Sequence, residues 1–197
     1  MTDSDERAAR SMSSMEAQTA IADFRIEQAS AEDVPLILNF VRELAEYERL
    51  SHEVSATEEL LRDTLFGEDA TGEVVIGYYK DAAVSFALFF HNLSTFLGRR
   101  GLYLEDLYVK PEFRGRGLGR ELLAYLARLA RARGCGRLEW AVLDWNEPAI
   151  NFYRGLGANS MDDWKIFRLT GDALERLAGE PQQHDLKPDD ATEKLSS

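Results

Sequence analysis

Cysteine is almost absent: Cys135 stands alone in 197 residues. No internal disulfide can form, and such a chain suits a reducing compartment. Cys135 itself reads as a small core residue rather than a nucleophile. Basic residues are scarce as well. Against 35 aspartates and glutamates stand 23 lysines and arginines, a formal charge of -12. A nucleic-acid binder that works through phosphates needs a basic face, so that class is excluded. A small cationic ligand suits the balance, as does simple solubility. No apolar run is long enough to span a bilayer, and the first residues lack the apolar segment of a secretion signal. The expectation is a cytoplasmic protein with no membrane partner. His52, His91 and His184 show no ligand spacing, which leaves no motif for a metal.

What the chain does contain is an alternation of element types between two polar ends. Residues 1–22 are Ser-rich and aperiodic, and residues 179–197 mix prolines, glutamines and charges. Both are expected to be flexible tails around one domain over 23–178. Phe24–Gln28 reads as a strand. After Ser30, a possible N-cap, Val34, Ile37, Leu38, Val41, Leu44 and Ala45 form one helical stripe. Ser55 and Glu58 make a capping-box pair for a helix that ends at Gly67. "EVVIGYY" and "AVSFALFFHNL" are strands joined through Lys80–Asp81. "GLYLEDLYV" is another strand. Leu118, Leu122, Leu126 and Leu129 line a helix that Gly134 terminates. "RLEWAVLD" then reads as a strand, "NEPAINFYR" as a short helix and "WKIFRLT" as a last strand. The class is α/β (α+β): a mixed sheet with helices on its faces.

The stretch "RGRGLGR", Arg114–Arg120, lies between a strand and a helix. Gly115, Gly117 and Gly119 bare the backbone, and the following helix presents free N–H groups and a positive dipole end. That combination suits a pyrophosphate, with Arg114, Arg116 and Arg120 adding charge. A plain flexible connection is the bland alternative. No Lys follows the glycines, so a P-loop fails; the sixth position from Gly115 is Arg120, so the dinucleotide and kinase glycine spacings fail too. R-x-x-G-x-G remains, carried by Arg114, Gly117 and Gly119.

The preceding strand shows a phase slip. Leu102 and Leu104 share one parity, Leu107 and Val109 the other. One extra residue near Glu105–Asp106, a β-bulge, would restore a single apolar face. Otherwise the strand is buried on both faces, and two adjacent carboxylates inside it need an explanation. Downstream, Asn146 is a good N-cap, Pro148 falls in the first turn, and Tyr153 lies two turns from Asn146 on the same helix face. A lone tyrosine there is more often core than catalytic.

"LYLEDLYVKPEFRGRGLGRELL" and "WNEPAINFY", with "ELAEYERL" and "WKIFRL", resemble the GNAT superfamily of N-acetyltransferases, in particular its diamine and thialysine acetyltransferase branch. The resemblance covers about 24–178. It implies a mixed, mostly antiparallel sheet of six to seven strands with helices on both faces, and acetyl-CoA as co-substrate. The backbone of Leu107, Tyr108 and Val109 would bind the pantetheine, and Arg114, Gly115, Arg116, Gly117, Leu118, Gly119 and Arg120 the pyrophosphate. Asn146, Glu147, Pro148 and Ala149 would line the cofactor, with Tyr153 beside the sulfur. Tyr47, Glu48, Glu105 and Asp106 would face the amine, with Glu139, Trp140 and Ala141 closing that side. A homodimer is implied as well.

Acetyl transfer needs a neutral amine. At a lysine-like pKa of about 10.4, about 1 molecule in 2,500 is neutral at pH 7, a deficit of about 4.6 kcal/mol. Glu105 is the candidate base, directly or through a water, and Tyr153 the candidate acid toward the leaving thiolate. Polyamines, lysine analogues, amino-sugars and protein N-termini all present an amine, so the acceptor stays open. Two other readings are a CoA-binding domain without turnover, which predicts CoA binding without thiol release, and an interaction module, which predicts no CoA binding.

Overall fold

Helix α1, Val34–Tyr47, begins where the sequence places its signals. In the computed structural model, which describes residues 19–179, Glu32 N donates to Ser30 Oγ at 3.3 Å and Ser30 N to Asp33 Oδ2 at 2.8 Å. This capping box opens one short 3₁₀ turn that leads into α1. The two expected tails lie outside the described residues, save for positions 19–22 and 179. The chain divides into two compact units, one ending at Ile150 and the other beginning at Asn151.

Helix α2, Glu58–Phe66, starts later than its expected Ser55 box. Thr57 is extended and its Oγ1 accepts from Leu60 N at 3.2 Å. Glu58 is thereby the first helical residue, too early for the reciprocal bond that a box needs at the third position. Gly67 does close the helix.

The first unit holds a sheet in the order β1-β2-β3-β4-β5: Phe24–Gln28, Glu73–Tyr79, Ala82–Ser94, Arg99–Val109 and Leu138–Trp140. The first four strands run antiparallel, and β5 lies parallel to β4. Lys80, at φ 54°, makes the tight turn between β2 and β3. On one face Ile37, Phe40 and Leu44 of α1 and Leu65 of α2 pack with Val74, Ile76, Phe86 and Tyr108. Helix α3, Leu118–Ala132, packs on β3, β4 and β5. Its buried Leu118, Leu122, Leu126 and Leu129 are the expected stripe. Strand parity gives Ala87, Phe89, Leu102 and Leu104, all buried, to the face opposite the α1 cluster. Gly134 at φ 68° and the bond from Cys135 N to Ala130 O, 2.8 Å, end α3.

Five strands form among the described residues, not six or seven. "RLEWAVLD" gives only Leu138–Trp140, and its Ala141 and Val142 are exposed. "WKIFRLT" forms no strand. It belongs to the second unit, where Trp164, Ile166 and Phe167 are 69%, 79% and 90% exposed. Apolar alternation supplies a face, but a strand also needs a ladder partner for its backbone, and among the described residues neither 141–144 nor 164–170 has one. Helix α4, Glu147–Gly155, appears as expected and crosses the division between units. Helix α5, Gly171–Gly179, was not anticipated.

Candidate active site

The phase slip of β4 is a bulge. Leu88 pairs with Asp106 and Phe89 with Leu104, so Glu105 has no partner on β3. The extra residue leaves Leu102 and Leu104 toward one face while Tyr108 joins the α1 cluster on the other. It also brings acidic groups together. Burial, then Glu105 and Glu48, push the half-buried Asp106 carboxyl from its ordinary 3.8 to about 7. Burial also raises Glu48, which follows the end of α1. The phenol of Tyr103 is pushed up by burial and then by Glu105 and Glu139, so these residues share one electrostatic neighbourhood. An ammonium ion placed among them would relieve their mutual repulsion.

Tyr47 is the last residue of α1. Its hydroxyl donates to Asn146 Oδ1 at 3.1 Å, and Ala149 N donates to the same oxygen at 3.3 Å. Asn146 is buried as the cap of α4, while Glu147 and Pro148 stay exposed on the first turn. The Tyr47 ring lies 4.3 Å from the Arg114 guanidinium carbon and 6.1 Å from the Trp145 ring.

The glycine loop has the anticipated shape. Gly115 and Gly117 take φ of 74° and 85°. A Cβ at Gly115 would meet nothing within 4 Å; one at Gly117 would lie 3.3 Å from Ile21 Cδ1. The first bond of α3 runs from Glu121 N to Gly117 O, so the N–H groups of Leu118, Gly119 and Arg120 have no helical partner. The arginines are less available than expected. Arg114 Nε donates to Val109 O at 2.8 Å, and Arg116 Nη2 donates to Glu112 O at 3.2 Å beside the Phe113 ring. Carbonyls and aromatic faces hold both guanidinium groups, whereas the N–H groups at the start of α3 stay free of helical partners. Strand β5 pairs with β4 only over Leu102–Leu104. The outer edge of Leu107–Val109 therefore carries no strand among the described residues.

On β5 the residues separate by parity. Glu139 pairs across from Tyr103, on the Glu105 side; Trp140 alternates to the other face, and Ala141 lies beyond the strand. Glu139 Oε2 accepts from Asn92 Nδ2 at 2.9 Å and lies 2.6 Å from Arg137 Nε. Asn92 and Arg137 were not among the sequence candidates, although Arg-x-Glu in a strand puts both side chains on one face. Tyr153 lies on α4 in the second unit, its ring centroid 5.3 Å from that of Phe152. Among the described residues no three His, Cys, Asp or Glu side chains are grouped to hold a metal ion, and no helix is long and apolar enough to cross a membrane.

The first unit thus holds a bulged acidic strand, a strand edge with no neighbour among the described residues and a glycine loop at a helix start. The acetyltransferase (GNAT) family matches residues 38–158, and the chain belongs to that family. It is an acyltransferase that moves an acetyl group to an amine. The thialysine N-epsilon-acetyltransferase of Bos taurus is 40% identical over 165 residues, spanning 78% of this chain and 96% of the relative. The L-ornithine N5-acetyltransferase NATA1 of Arabidopsis thaliana is 33% identical over 198 residues, spanning 78% and 87%. Among solved structures, an integron cassette protein from V. cholerae superposes with a TM-score of 0.70 at 24% identity, covering 81% of this chain and all of that one.

Proposed function

We propose that the chain transfers the acetyl group of acetyl-CoA to a primary amine of a small cationic acceptor: a diamine, a polyamine or a lysine-like amino acid. The observation that carries this is the bulge at Glu105, which gathers Glu105, Asp106 and Glu48 beside an open strand edge. The names of relatives support the acceptor class: thialysine, L-ornithine, and spermidine/spermine in a human relative at 33% identity.

The residues fit acetyl-CoA. The uncovered Gly115 and the free N–H groups of α3 suit a pyrophosphate, and the free edge of Leu107–Val109 suits the amides of pantetheine. When bound, acetyl-CoA supplies an activated acyl group and a thiolate leaving group. Glu48 and Asp106 hold the ammonium. Glu105, unpaired on β3 and exposed, takes its proton directly or through a water. Tyr153 returns a proton to the sulfur; this role rests on the motif "WNEPAINFY". The enzyme acts as a cytoplasmic homodimer in this reading.

An amine panel with thiol detection tests it. Acetyl-CoA-dependent thiol release is expected with thialysine, ornithine or a diamine. CoA binding without release for any amine would leave a binding domain in place of an enzyme for these acceptors.

A further inference from the structure

Beyond the acidic bulge, the same face of the sheet carries a polar triad. Asn92 of β3 and Glu139 of β5 are joined at 2.9 Å, and Arg137 touches Glu139 at 2.6 Å. Gly101 of β4 makes room for them: a Cβ there would fall 2.3 Å from Asn92 Oδ1 and 3.1 Å from Arg137 Cγ. Two atoms of the triad remain unsatisfied. Asn92 Oδ1 and Arg137 Nε are both buried without a hydrogen bond, the Arg137 N–H not being aimed at the nearby carboxylate. Buried polar atoms of this kind mark places where a ligand or water completes the set.

Resting on the amine-acetyltransferase reading above, we propose that Arg137 and Glu139 clamp the head group of an α-amino acid whose side-chain amine is the acetyl acceptor. Arg137 takes the α-carboxylate, and Glu139 with Asn92 takes the α-ammonium. Reach supports this. Glu139 stands opposite Tyr103, two residues before Glu105, which is about 7 Å along a strand. Four or five single bonds separate the α-carbon of ornithine or lysine from its terminal amine, roughly 5–6 Å when extended. Charge decides between acceptors. A diamine presents only cations to this end of the site, where Arg137 already balances Glu139. A zwitterion presents one charge of each sign to a pair with one charge of each sign.

The test compares kcat/KM for ornithine against putrescine and for lysine against cadaverine, each pair differing by the carboxylate. The wild-type enzyme is expected to favour the amino acid by about 10-fold or more. In Arg137→Gln that ratio should collapse, chiefly through a higher KM for the amino acid. Glu139→Gln should weaken both members of a pair and leave the ratio nearer its original value. Circular dichroism checks folding, and Gly101→Ala, which crowds the triad by space alone, gives a second route to the same loss of preference. A wild-type preference for the diamine, or a ratio that Arg137→Gln moves by less than about 2-fold, overturns the clamp while acetyl transfer stands. No thiol release with any amine overturns both.

Discussion

Asp106 shows what burial beside other carboxylates does to one side chain. The folded protein holds its proton up to about pH 7, whereas the unfolded chain releases it near 3.8. Its contribution to stability is therefore fully present below 3.8 and is lost as pH rises toward 7. The shift is worth at most about 4 kcal/mol. Asp106→Asn should gain stability over the parent chain between pH 4 and pH 8, read by urea unfolding at both; a gap that does not widen with pH means that burial is not holding the proton. Glu105 is tested by kinetics. Glu105→Gln should lower kcat most near neutral pH, and the defect should shrink toward the amine pKa, where the acceptor arrives neutral. A raised KM with unchanged kcat would reduce Glu105 to an attractor of cations. Tyr153→Phe removes a donor and keeps the ring. If Tyr153 protonates the thiolate, kcat falls by about 10²–10⁴-fold while CoA affinity holds; a full-rate enzyme hands that proton to solvent.

At the scale of the element, the glycine loop separates strain from space. Gly115→Ala meets only the strain of a left-handed residue, φ 74°, in open space, about 1–2 kcal/mol. Gly117→Val adds a branched side chain at φ 85° beside Ile21 and over the expected phosphate position. Calorimetry should show much weaker CoA binding for Gly117→Val, with the fold intact by circular dichroism; equal affinity removes the loop from the cofactor site. This loop was legible because left-handed turns before a helix demand glycine. The bulge was legible because Leu102, Leu104, Leu107 and Val109 cannot share a face without an extra residue. The α2 cap was misplaced because Ser55 and Thr57 offer the same hydroxyl, and local backbone decides between them. The brevity of β5 and the missing last strand were not legible, since pairing belongs to the sheet and not to the segment. Nor was the triad of Asn92, Arg137 and Glu139, which requires the β3–β4–β5 register to bring residues 45 apart together.

At the scale of the whole molecule, the second unit leaves a question of surface. Met161, Trp164, Ile166, Phe167 and Leu169 all lie exposed within nine residues. Apolar exposure of this density marks an interaction surface more often than bare solvent contact. A second copy of the chain is the occupant that the resemblance implies, and a two-fold dimer buries the same patch on both subunits. The expectation is a homodimer of twice 22.3 kDa. Sedimentation equilibrium near micromolar concentration reads the mass directly. Phe167→Glu places a charge where the ring is most exposed, so it should leave the first unit folded by circular dichroism while moving the mass toward one chain. A wild-type monomer of 22.3 kDa overturns the dimer. A dimer untouched by Phe167→Glu keeps the assembly but moves its interface off this segment, and the apolar residues then need another cover.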